Sequence, residues 1–129
     1  MKKVFSVLVL LVLVLTPLLS CAAMAQEISP RSAYVKAKDV SLSFSGGSAV
    51  CSGYVTPNGN YPVSVLVTLY KQTSSGWSYV ASWSGSSTGG SKAQAGGSVA
   101  VGRGTYKVTL AGNVNNGSEY PSANIVKTK

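Results

Sequence analysis

The chain has 129 residues, of which 45% are hydrophobic, 11 are basic, 3 are acidic and none is histidine. The formal charge of +8 suits anionic partners, and the lack of histidine excludes Ser-His-Asp and Cys-His catalysis and any His-containing zinc site. Two cysteines, Cys21 and Cys51, do not make a disulfide-stapled miniprotein, so stability has to come from an apolar core.

Residues 1–25 read as a bacterial-type secretory signal peptide. Lys2 and Lys3 form a basic start, and Val4 to Leu15 is apolar except for Ser6. Pro17 breaks this helix, and Ala23-Met24-Ala25 supplies a small-x-small cleavage site. Cleavage after Ala25 leaves 104 residues starting at Gln26, in which nine basic residues face three acidic ones for a charge of +6. Two alternatives stay open. Leu18-Leu19-Ser20-Cys21 loosely matches a lipobox, which would anchor the chain through a lipid on Cys21. An uncleaved Val4 to Ala25 helix would also reach across a bilayer, which takes ~20 apolar residues. All three readings place the folded part outside the cytoplasm, and the cleaved leader makes it secreted.

Residues 26–33 are polar around Pro30 and read as a tether. The folded domain is expected over 34–129. Val40, Leu42 and Phe44 alternate with serines, the period of a half-buried strand. Gly46-Gly47 reads as a turn, and Ala49, Cys51, Gly53 and Val55 make one side of a second strand. Pro57-Asn58-Gly59 carries turn chemistry. Tyr61 to Lys71 is apolar on both faces, with Val63, Val65, Val67 and Leu69 on one and Leu66 and Tyr70 on the other, so it reads as a central strand. Trp77 to Ser84 makes the next strand. Gly85 to Gly97 is rich in Ser, Gly and Thr and reads as a long loop or weak edge. Short strands follow at 98–101, at 104–114 and at 123–127.

About seven strands without a sustained helical period predict an all-β fold, an antiparallel β-sandwich of the immunoglobulin or fibronectin-III kind behind a signal-peptide helix. A small antiparallel barrel is the second candidate. Gly104-Thr105-Tyr106 resembles the tyrosine corner of immunoglobulin-like domains, whose hydroxyl bonds back to nearby backbone. In that frame Cys51 takes the place of the first inter-sheet cysteine and Val108 that of the second, so Cys51 is expected to be a buried apolar residue facing Val108. The leader, the Ile28-Ser29-Pro30-Arg31 start, the Trp77-to-Trp83 strand and the Gly-x-Tyr-x-Val at 104–108 resemble a group of small secreted proteins of Gram-positive bacteria. Those carry one small β domain and no assigned activity, and the resemblance transfers no catalytic residue.

The chemistry of an enzyme is hard to assemble. No Ser-x-x-Lys motif occurs, and the carboxylates of the folded part are Asp39, near a strand start, and Glu119, in a loop. So few acids do not build a calcium cage, and Gly102-Arg103-Gly104 opens a strand rather than a phosphate-binding helix. No catalytic residue, metal ligand or cofactor is assigned. Nor does any basic run or nucleic-acid motif mark a nucleic-acid partner.

Binding is the remaining signal. Trp77, Tyr79 and Trp83 share parity, so an unbroken strand would put all three on one face. Such rings stack on sugars or anchor at a membrane interface, and they equally well fill a core. If one of them is exposed, Trp83 is the expected one. The partner expected from these rings and the positive charge is an anionic cell-wall polymer, a glycan or a membrane surface. The function expected is non-catalytic binding at the cell envelope, and the alternative is a secreted cationic antimicrobial or toxin-like effector.

Overall fold

The computed structural model describes residues 33–129. The leader, its cleavage site, Cys21 and tether residues 26–32 lie outside the described residues. Seven strands follow in order: β1 (Val35–Ser45), β2 (Ser48–Pro57), β3 (Val63–Thr73), β4 (Gly76–Ser87), β5 (Ala93–Ala100), β6 (Thr105–Val114) and β7 (Ser122–Thr128). They form a three-stranded sheet, β1-β2-β5, and a four-stranded sheet, β4-β3-β6-β7, with every pairing antiparallel.

Alternation decides which side of each strand is buried. Val40 and Leu42, then Ala49, Cys51 and Val55, then Ala93 and Ala95 come from the three-stranded sheet. Val63, Val65, Val67 and Leu69 meet them from β3, and Tyr106, Val108, Leu110 and Val114 from β6. These residues make one core between two sheets, so the molecule is a β-sandwich. Among the described residues the two sheets share no backbone ladder, which sets aside the closed barrel. Gly46 and Gly47 join β1 to β2 at φ of 58° and 82°, the twist a two-residue hairpin needs. The central position expected for Tyr61 to Lys71 is found in β3, which begins at Val63. Tyr61 stays outside the strand, with its ring edge-on to Tyr34 at 5.1 Å.

Of the two readings of Gly85 to Gly97, the edge is found and the long loop is corrected, since β4 and β5 are both edge strands. β4 continues to Ser87 and β5 begins at Ala93, leaving only 88–92 between them. The small residues here serve close approach rather than disorder. A Cβ on Gly85 would overlap the Gln94 carbonyl oxygen of β5, and a Cβ on Gly97 would enter the indole of Trp83. Two edge strands from different sheets pass so near each other that only glycine fits at those points.

Cys51 lies in the same core as Val108, with 1% of its surface exposed. Burial pushes its thiol up from 9.0 to about 11. Such a thiol is neutral at physiological pH and is no nucleophile. Because the folded value lies above the unfolded one for an acid, both states keep the proton below pH 9. Between about pH 9 and 11 the unfolded chain ionises first, and stability falls. Wild type should lose up to about 2–3 kcal/mol more than Cys51→Ala across that window in urea titrations. Equal slopes would mean an exposed thiol. Cys51→Ser should cost roughly 1–3 kcal/mol at neutral pH through its poorly satisfied hydroxyl.

Candidate binding face

The outer face of the four-stranded sheet is set by the other half of the alternation. Ser64, Leu66, Thr68, Tyr70 and Gln72 of β3 point away from the core, and cross-strand pairing lines up their neighbours. Ser64 lies between Ser86 and Asn113, and Leu66 between Ser84 and Ala111. Thr68 lies between Ser82 and Thr109, and Tyr70 between Tyr79 and Lys107. Val126 of β7 extends this last row, and Trp77 stands beside Gln72 at its margin. One end of the face is therefore hydroxyl and amide, and the other is aromatic.

A β-bulge in β4 makes the aromatic end. Leu69 pairs with Ala81 but Tyr70 pairs with Tyr79, so Val80 is the extra residue. The bulge reverses the facing of everything before it. Trp83 pairs with inward Val67, whereas Tyr79 and Trp77 pair with outward Tyr70 and Gln72. The expected single row of Trp77, Tyr79 and Trp83 is thus divided, because the strand is not unbroken. The expectation that Trp83 is the exposed ring is also corrected. Trp83 is half-buried against the core and lies over Gly97, while Trp77 is 38% and Tyr79 62% exposed.

Two residues complete the aromatic end. The Lys107 ammonium sits 4.6 Å from the Trp77 ring centre and 5.4 Å from that of Tyr70, within cation–π range of both. The Tyr79 hydroxyl meets the Ser82 hydroxyl at 3.1 Å, which draws its ring along the strand. Among the described residues Lys107 is the one charged side chain at the strand positions of this face, and none of these positions is a carboxylate. Neither Tyr70 nor Lys107 was a candidate from the sequence. Lys107 alternates against buried Tyr106 and Val108 and Tyr70 follows buried Leu69, but only the register of β3 with β6 brings them to Trp77.

At the hydroxyl end lie two adjoining clefts of about 400 and 540 Å³, both lined by Ser64, Ser86 and Asn113. Asn113 spends its oxygen on the Gly117 amide, which donates to it at 2.7 Å, so its amide nitrogen remains to donate. The carboxylates do not converge. Asp39 is on β1 and accepts from the Val40 amide at 2.8 Å, while Glu119 lies in the β6–β7 connection, bridged to Val114. Among the described residues no three His, Cys, Asp or Glu side chains gather as metal ligands, and no helix is long and apolar enough to cross a membrane.

No family model matches this chain, and no curated protein does. Solved structures with a similar course of the chain include CsgH of R. palustris, at 18% identity over 68% of this chain and 88% of that one, with a TM-score of 0.45. OgpA of Akkermansia muciniphila matches at 16% identity over 73% of this chain and 27% of its own, with a TM-score of 0.46. The sporulation control protein Spo0M of Bacillus subtilis matches at 11% identity over 75% of this chain and 49% of its own, with a TM-score of 0.37.

Proposed function

We propose that this is a secreted, non-catalytic bacterial protein that binds at the cell envelope or another extracellular surface. In this reading the 1–25 segment is its signal peptide, and the chain is one of the small secreted Gram-positive proteins it resembles. The sandwich is of the fibronectin-III or immunoglobulin kind. The sheet order β1-β2-β5 against β4-β3-β6-β7 supports that assignment, as does the Tyr106 hydroxyl donating to the Gly102 carbonyl at 2.9 Å. The observation that carries the binding reading is the outward cluster of Trp77, Tyr79, Tyr70 and Lys107. Large rings beside a lysine on the outer sheet face, where Leu66 and Val126 are exposed as well, add nothing to the core, and they suit a partner with flat surfaces and negative charge.

Retention on purified Gram-positive cell wall is the test. The scattered positive charge gives a part that salt removes, and the rings give a part that salt leaves. Retention should fall with salt without vanishing, and Trp77→Ala with Tyr79→Ala should remove the salt-resistant part while circular dichroism stays unchanged. Absence of retention at low ionic strength would defeat the reading. The +6 charge also favours a second reading, a cationic effector. Inhibited growth of related bacteria without wall retention would select it.

A further inference from the structure

We infer that the outer face of the four-stranded sheet is a track for one linear anionic glycan lying along β3, with an acidic group at Lys107. The inference rests on the binding reading above and specifies its ligand. Three observations carry it. First, the face is long and ordered by chemistry. From Ser64 to Gln72 the strand covers about 27 Å, room for several sugar rings in line. Second, each end offers what a sugar chain uses. Ser64, Ser86 and Asn113 are shared by clefts of about 400 and 540 Å³, the larger lined also by Leu66 and Ala111, and present hydroxyls and an amide to ring substituents. At the other end Trp77 and Tyr79 expose apolar ring surface. Third, the charge has one sign and one place. Among the described residues Lys107 is the one charged side chain at these strand positions, held between Tyr70 and Trp77. A carboxylate on a ring stacked at Trp77 would reach it.

This arrangement fits a glycan better than a lipid surface. A bilayer interface is met by rings and several lysines around an apolar patch, whereas half of this face is Ser, Thr and Asn. It also explains why the rings sit at one end only. Stacking fixes one sugar and its acid, and the hydroxyl clefts then read the following units.

The test is calorimetric titration of the protein with hyaluronan oligosaccharides, which carry a carboxylate on alternate sugars, and with neutral oligomers of N-acetylglucosamine. Affinity for hyaluronan should rise from disaccharide to hexasaccharide and exceed that for the neutral oligomer of equal length. Trp77→Ala should weaken all lengths by about three- to tenfold. Lys107→Gln should abolish the preference for the charged series. Ser86→Glu, at the exposed far end, should weaken the hexasaccharide and spare the disaccharide. Equal affinity for disaccharide and hexasaccharide would overturn the track, as would indifference to Trp77→Ala. If neither series binds while wall retention persists and depends on Trp77, the glycan assignment falls and the envelope reading stands. If wall retention is also absent, both fall.

Discussion

Replacing Gly85 with alanine should cost about 3 kcal/mol or more of folding stability, at the upper end of what an added methyl does in a packed site. Most overpacked methyl groups find relief when a neighbouring side chain turns aside. Here the obstacle is backbone, because the new Cβ would overlap the Gln94 carbonyl oxygen and stand 3.7 Å from the Ala95 Cβ. Relief requires β5 to move away from β4, and β5 is itself tied by its ladder to β2. The displacement would therefore loosen the packing of Ala93 and Ala95 in the core. Gly102 is the matched control. A Cβ there meets nothing within 4 Å, and Gly102→Ala should change stability by less than about 0.5 kcal/mol. Urea denaturation of both variants decides the matter. A loss under 1 kcal/mol for Gly85→Ala, on the scale of about 1–3 kcal/mol for overpacking, would show that the edges of the two sheets are farther apart than described.

Tyr106→Ala should be comparably damaging, at about 3–5 kcal/mol, the range for emptying a large aromatic site. The ring is 1% exposed, the largest of the fully buried side chains. It packs 5.7 Å from the Phe44 ring and lies under the Lys71 ammonium at 5.9 Å, so its loss opens a hole between β1, β3 and β6. Tyr106→Phe separates the hydroxyl from the ring. It keeps the volume and removes only the bond to the Gly102 carbonyl, which should cost about 1–2 kcal/mol. The predicted order in thermal melts is wild type, then Phe, then Ala. A neutral Phe variant would mean that water replaces the hydroxyl at Gly102.

The contrast between Tyr106 and Trp83 shows what kind of information the sequence carries. Tyr106 could be placed from its neighbours, since Gly104 precedes it and Val108 and Leu110 continue its parity into the core. The inner faces of β2 and β3 were legible for the same reason, because strict alternation needs no knowledge of the partner strand. Trp83 was misplaced because parity holds only while a strand is regular. The sequence cue is the uninterrupted apolar run Tyr79-Val80-Ala81, which breaks the alternation where Val80 and Ala81 turn out half-buried side by side. The small-residue run from Gly85 to Gly97 misled in another way. Composition says that such residues permit a loop, but it does not say that a second sheet passes within contact distance. Lys107 joined the candidate site through register alone, a property of strand pairs that no single strand encodes.

The bulge at Val80 also bears on solubility. β4 is an edge of its sheet and spans Gly76–Ser87 without a charged residue or a proline, a composition that invites another chain to pair with it. β1 and β7, the edges on the opposite flank, carry Lys36, Lys38 and Asp39, and Lys127. The second half of β4 is shielded where Gly85 meets β5. At the start of its first half a Cβ on Gly76 would meet nothing within 4 Å among the described residues, and further on the extra residue interrupts the ladder and twists the strand. The irregularity that turns Trp77 and Tyr79 outward thus also denies an incoming strand a straight template, so one inserted residue both exposes sticky rings and keeps the bare edge beside them from growing into a larger sheet.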